Sequence, residues 1–138
     1  MSDPVIVRRV MSKETSHFMR HQVLREVVRS PRGTGKRARI PGYRVFGKTG
    51  TAKKRDPDGP GYSNRLCVGS FIGAAPLENP RIVAMVLIDE PDKSIGYYGG
   101  TVAASAVRQI LARSLGYLNV PPDDHQRIAR SRRGPSLL

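Results

Sequence analysis

Tyr43-Arg-Val-Phe-Gly-Lys-Thr-Gly-Thr-Ala52 is the stretch on which the reading of this chain turns. Tyr43, Val45 and Phe46 favour extended backbone, so the pattern predicts a strand over 43–52 with two glycines in it. Two motifs overlap at its lysine. Gly42-Tyr-Arg-Val-Phe-Gly47-Lys48-Thr49 formally fits the phosphate-loop pattern of a nucleotide binder. A phosphate loop follows a strand, curls around phosphates and opens into a helix. Here no β-rich run precedes Gly42, and Gly50-Thr51-Ala52-Lys53-Lys54-Arg55-Asp56-Pro57 is a poor helix start.

The same lysine begins a K-T-G strand, Lys48-Thr49-Gly50, of the kind used in serine acyl transfer. The chemistry suits the residues. Lys48 sets a cation beside an anionic substrate terminus, and the hydroxyls of Thr49 and Thr51 can bond a carboxylate. Gly50 shares a face with Lys48, because side chains alternate along a strand, and its missing side chain leaves the backbone approachable. A strand N–H at this place can also donate into an oxyanion hole.

Outward from this strand the chain punctuates itself. Val5–Val10 is a short β-branched run, expected to be a strand or strand end. Ser12 is a candidate N-cap with Glu14 in the first turn, and Phe18, Met19, Val23, Leu24, Val27 and Val28 predict an amphipathic helix over 13–29. Ser30-Pro31-Arg32-Gly33 ends it. A basic, glycine-rich loop over 31–42 and a polar loop over 53–64 flank the K-T-G strand. Leu66–Ala75 and Arg81–Asp89 are two further strands, and their short link suits a hairpin. Val102 to Leu118 carries the spacing of a second helix, over 101–118, which Pro121-Pro122 cannot extend. Residues 123–138 have few apolar side chains and are expected to form a disordered basic tail. Three antiparallel strands with a helix before and after make an α+β unit.

The chain has 138 residues and a formal net charge of +13, enough for one domain with a modest core. Residues 1–55 hold 15 basic and 3 acidic side chains, so almost all the excess sits there. Such a segment suits nucleic acid, and a small basic nucleic-acid-binding protein is the alternative reading. It explains none of the ordered motifs, and with 6 % aromatics and no tryptophan a base-stacking platform is hard to build. No apolar run approaches the roughly 18–20 residues of a membrane span, and residues 1–10 lack a signal-peptide core. One cysteine, Cys67, excludes an internal disulfide.

Further motifs occur in order. They are Gly33-Thr-Gly-Lys-Arg-Ala-Arg39, Ile40-Pro-Gly-Tyr43, Gly47-Lys-Thr-Gly-Thr-Ala52, Ser70-Phe-Ile-Gly-Ala-Ala-Pro76, Asn79-Pro-Arg81, Ile88-Asp-Glu-Pro91 and Tyr97-Tyr-Gly-Gly-Thr-Val-Ala-Ala104. Together they resemble the C-terminal part of the transpeptidase domain of class B penicillin-binding proteins of the cell-division (FtsI) type, over roughly residues 5–122 of a domain portion drawn at 1–122. The resemblance implies a partial penicillin-binding/β-lactamase-like fold with the K-T-G strand at the edge beside the active site. It implies that Lys48, Thr49, Gly50 and Thr51 bind the carboxylate of a peptidoglycan stem peptide or a β-lactam, with the Thr51 N–H in the oxyanion hole. It implies no cofactor, no metal and no nucleic acid, and division-machinery proteins as partners. The implied parent protein sits in the bacterial inner membrane with this domain outside the cytoplasm, whereas a chain expressed as it stands, without signal or anchor, would stay in the cytoplasm. It also implies that Arg81–Asp89 lacks a strand partner and that an apolar sheet face is left uncovered.

The departures carry equal weight. The family uses S-x-x-K, S-x-N and K-T-G. Three residues before each lysine stand Val10, Gly33, Val45, Gly50, Thr51 and Glu90, and two before each asparagine stand Tyr62, Leu77 and Tyr117. None is serine, so the acylated serine, its lysine and the second motif are absent from these residues, and no catalytic side chain is expected here. Ser105 stands where a proline is common. Tyr97, Tyr98, Gly99 and Gly100 are cleft-lining candidates, or else a turn whose glycines take positive φ. His17 and His21, four apart, are read as solvent-exposed rather than as a metal site. Cys67 is read as a small buried apolar residue, and Asp89-Glu90 as a solvated strand end rather than an acid–base pair.

Overall fold

The computed structural model describes Val5 and residues 7–123. Ser12 opens the first helix, its side chain accepting a hydrogen bond from the Thr15 N–H at 3.1 Å. The helix runs as α1 (Lys13–Phe18), a π-turn (Met19–Leu24) and α2 (Arg25–Arg29). Across Met19–Leu24 the chain takes the wider π-turn instead of continuing the α-helix. The turn also changes the inward face. Phe18, Met19 and Val23, expected on the apolar stripe, are exposed, while Arg20, His21, Leu24, Val27 and Val28 turn inward.

Helix α2 stops at Ser30, whose backbone is extended ahead of Pro31. Arg39 then covers the open end. Its Nε donates to the Val28 carbonyl at 2.8 Å and its Nη2 to those of Arg29 and Ser30 at 2.7 and 2.9 Å. These are carbonyls that a helix C-terminus leaves without intrahelical partners.

Strands β1 (Phe46–Arg55), β2 (Tyr62–Ala75) and β3 (Ile82–Asp89) form an antiparallel sheet in that order. The fold is therefore α+β, with the K-T-G strand at one edge. Strand β1 starts at Phe46, not Tyr43, because the preceding groups bond elsewhere. The Tyr43 hydroxyl donates to the Val120 carbonyl at 2.6 Å, and the Arg44 N–H donates to the Asp123 carboxylate. The pairing then runs further than expected, leaving only 56–61 as the loop. The phosphate-loop reading fails on this register. Phe46, Gly47, Lys48 and Thr49 pair with Ala74, Gly73, Ile72 and Phe71, and extended backbone continues beyond Thr49 where that loop needs a helix. The strand expected over Val5–Val10 is also absent. Its described residues pair with no other strand and are exposed, and an unpaired strand leaves its backbone groups to water.

After β3, α3 (Gly99–Val102) and α4 (Ala104–Tyr117) replace the single expected helix, with a break at Ala103. Val107, Leu111 and Leu115 of α4 pack with Phe71 and Ala75 of β2 and with Ile82, Ala84, Val86 and Ile88 of β3. The other sheet face carries Ile72, Val83, Met85 and Leu87, all exposed. Such an apolar face is unusual for water, and β3 forms the second edge of the described sheet.

The end of the described residues is tied in. Asp123, the first residue of the expected tail, is only 2 % exposed, and its N–H donates to the Gly42 carbonyl at 2.9 Å. The remainder of that tail, 124–138, lies outside the described residues. Among the described residues no helix is long and apolar enough to cross a membrane.

Leu111 is fully buried between α4 and the sheet. Leu111→Ala should lower the unfolding free energy by about 2–5 kcal/mol, read as a lower urea midpoint. Arg108→Ala, at an exposed position of the same helix, should move that midpoint little.

Candidate functional site

Along β1, Lys48 and Gly50 lie opposite Ile72 and Ser70, on the open face of the sheet. Thr49 and Thr51 lie opposite Phe71 and Gly69, on the helix-covered side. Because β1 is an edge, side chains from both faces can reach a molecule lying along it. Lys48 is exposed, and its Nζ donates to the Thr49 carbonyl at 2.8 Å. Thr49 Oγ1 is 3.2 Å from Thr34 Oγ1, and Thr51 is exposed. A Cβ on Gly50 would come 2.4 Å from Ser70 Oγ, so a side chain here would require that hydroxyl to rotate away.

Thr51 shares a cavity of about 510 Å³ with Lys53, Asn64, Cys67, Tyr97 and Tyr98. The two tyrosine hydroxyls are 2.8 Å apart and the rings 4.2 Å apart, tilted by 33°. The neighbouring Tyr98 hydroxyl holds the Tyr97 phenol above its ordinary pKa. Lys93 Nζ stands 5.7 Å from the Tyr97 ring centre and donates to the Asn64 carbonyl at 2.8 Å. Lys53 Nζ donates to Asn64 Oδ1 at 2.8 Å, so Asn64 ties two lysines to one wall. Cys67 is buried in β2 on that wall.

Gly99 and Gly100 are buried. A Cβ on Gly99 would lie 1.8 Å from the Ser70 carbonyl oxygen and 2.6 Å from that of Gly50, and one on Gly100 would lie 1.8 Å from that of Thr34. Neither has positive φ, and the left-handed glycine of this segment is Gly96, at φ 135°. The turn reading of these two glycines is thus corrected: close approach of α3 to the strands, not handedness, demands them.

The remaining candidates fall elsewhere. His17 and His21 stack with ring centres 3.9 Å apart, but the His21 side chain is only 11 % exposed, contrary to the solvent-exposed reading. The π-turn swings His21 toward Glu78, with Nε2 at 3.8 Å from Oε2 and without a hydrogen bond. Burial holds its pKa below the ordinary histidine value, against the pull of Glu78. Among the described residues no three side chains are grouped to hold a metal. Asp89 and Glu90 both accept from Lys54 Nζ, at 3.0 and 2.5 Å, which closes the ends of β1 and β3 over β2. Thr34, Asn64 and Lys93 were not singled out by sequence. Only Thr34 had a signal there, its place in Gly33-Thr-Gly35.

The α+β sheet thus carries a K-T-G edge strand with a tyrosine-walled cavity beside it. The family model described as the penicillin binding protein transpeptidase domain matches residues 1–112. The probable peptidoglycan D,D-transpeptidase PbpC of Pseudomonas aeruginosa is 42 % identical over 124 residues, covering 90 % of this chain and 20 % of that protein. The transpeptidase domain of penicillin-binding protein 3 from Burkholderia pseudomallei superposes with TM-score 0.72 at 44 % identity, over 84 % of this chain and 34 % of that one. Penicillin-binding protein 3 of Mycobacterium tuberculosis, in complex with ampicillin, superposes with TM-score 0.70 at 35 % identity, over 83 % of this chain and 26 % of that one. The chain belongs to the penicillin-binding transpeptidase family. It spans about a fifth of the length of the curated relative and about a third and a quarter of the two solved chains.

Two outcomes test the local structure. Gly99→Ala should displace α3 from the Gly50 and Ser70 carbonyls, visible as amide shifts across Lys48–Thr51 that a surface change such as Gly116→Ala does not produce. The second concerns His21. A folded pKa below the unfolded one means the unfolded chain binds more protons, so stability is full above about pH 6.5 and falls as pH drops through that value. His21→Gln should flatten the decline in a denaturation series between about pH 7 and pH 5.

Proposed function

We propose that this chain supplies the carboxylate-binding wall of a peptidoglycan D,D-transpeptidase. The observation that carries this reading is the exposed K-T-G edge, with Thr51 opening into the cavity walled by Tyr97 and Tyr98. Lys48 contributes the cation that draws in the carboxylate of a stem peptide or a β-lactam. Thr49 and Thr51 each have one hydroxyl proton to donate to it. The Thr51 N–H, on an edge strand, is the donor for the oxyanion that forms as the acyl carbonyl is attacked. The attacking serine and its base belong to S-x-x-K and S-x-N motifs that these 138 residues do not contain. The chain by itself therefore binds without acylating.

The wider setting follows from the same reading. The complete protein works outside the cytoplasmic membrane, where peptidoglycan lies, in cross-linking at cell division with division-machinery partners. Its β-lactam affinity is what the ampicillin complex of the Mycobacterium tuberculosis relative suggests.

Incubation with a fluorescent penicillin should leave no labelled band after denaturation, and a surviving band would contradict the missing nucleophile. Noncovalent binding is read separately. An acyl-D-alanyl-D-alanine should shift the amide resonances of Lys48–Thr51, and its C-terminal carboxamide should not. Equal shifts from both would remove the carboxylate from the reading.

A further inference from the structure

We infer that Thr34 is a positioning residue for the K-T-G strand: its hydroxyl donates to Thr49 Oγ1 and so turns the Thr49 proton toward the bound carboxylate. The inference rests on the carboxylate-binding role proposed above for Thr49. Its starting point is the 3.2 Å separation of the two hydroxyl oxygens. At that distance either oxygen is a possible donor, and the ligand decides which. An ionised carboxylate only accepts hydrogen bonds, so Thr49 must spend its single proton on it. Thr49 can then only accept from Thr34, and the polarity of the pair is fixed. The two bonds polarise each other, since a hydroxyl that accepts becomes a better donor.

Thr34 is held firmly enough to impose this direction. The Gly35 N–H donates to the Val27 carbonyl at 2.9 Å. A Cβ on Gly33 would lie 2.3 Å from that carbonyl oxygen, and one on Gly35 would lie 2.6 Å from Phe71 Cε2. The two glycines beside Thr34 therefore press the loop onto α2 and onto the buried ring of β2. Arg39 anchors the far end of the loop through its three bonds to the end of α2. On the other side Gly100 packs against the Thr34 carbonyl, and Arg37 Nη1 donates to the Thr101 carbonyl at 3.0 Å. Thr34 thus sits between α2 and α3 with its hydroxyl on Thr49. A threonine at this place does something valine, of nearly the same shape, cannot.

The test uses the full 138-residue chain as wild type, Thr34→Val and Thr34→Ser. Three-bond couplings report the Thr49 side-chain rotamer, and the acyl-D-alanyl-D-alanine titration reports affinity. The inference expects one Thr49 rotamer in wild type and Thr34→Ser, and an averaged rotamer in Thr34→Val. It also expects affinity to fall roughly three- to tenfold in Thr34→Val and to recover in Thr34→Ser, the loss of one hydrogen bond. Unchanged rotamer and affinity in Thr34→Val overturn it while leaving the carboxylate reading intact. Rotamer averaging with no ligand response at Lys48–Thr51 in wild type keeps the positioning role and overturns the carboxylate reading instead. Should Thr34→Val lose its dispersed amide spectrum, Thr34→Ser decides alone: a Thr49 rotamer unlike wild type overturns the inference, and a wild-type rotamer with wild-type affinity supports it.

Discussion

The phenyl ring of Phe71 occupies space that three glycines leave open. A Cβ on Gly35, Gly47 or Gly73 would come within 2.6, 2.8 or 3.0 Å of its ring atoms. The ring is fully buried, at the centre of the core that joins α4 to the sheet. Because Gly47 is one residue from Lys48, this packing sets the depth of β1 in the fold. Because Gly35 follows Thr34, it also sets how closely the basic loop approaches the K-T-G strand. Gly99 and Gly100 repeat the arrangement from the other side, bringing α3 onto the Gly50, Ser70 and Thr34 carbonyls. Interiors this tightly packed do not yield to an added methyl without moving a neighbour.

The basic charge takes on a different meaning in the folded chain. Its concentration in residues 1–55 first suggested nucleic acid. Much of it is engaged internally. Arg39 closes the end of α2, and Arg44 lies between Glu78 and Asp123 at 3.1 and 3.5 Å. Lys54 joins the ends of two strands, and Lys53 fastens the cavity wall. Of the lysines on β1, Lys48 faces out from the open face with only a neighbouring carbonyl as partner. Arg44 has a cost attached, since its Nε is buried without a hydrogen-bond partner while its Nη2 serves two carboxylates. These charges help to hold a small fold together around one edge.

The open sheet face belongs in the same picture. Ile72, Val83, Met85 and Leu87 align across β2 and β3, and Ile72 and Val83 line an apolar cavity of about 160 Å³ with Phe46 and Ala74. Lys48 projects from that face too. The surface that bears the lysine is thus apolar around it. The family to which the chain belongs has relatives more than four times its length, and the matched stretch is about a fifth of such a relative.

Much of this was legible in the chain itself. Strand and helix order followed from β-branched runs, three-to-four-residue spacing and Pro/Gly punctuation, because those preferences act within a few residues. Ser12 announced its helix, and Lys48-Thr-Gly50 with Thr51 marked the candidate site. The tertiary structure decided what depends on distant partners. The π-turn exposed Phe18 and buried His21, since a change in helical phase is felt only against the sheet. Tyr43 and Arg44 left the strand for Val120 and Asp123, nearly eighty residues away. Thr34 met Thr49 across fifteen residues through a contact that no local pattern encodes. Sequence named the groups proposed to receive a carboxylate, whereas only packing through space set Thr34 beside Thr49, because that contact joins two separate segments.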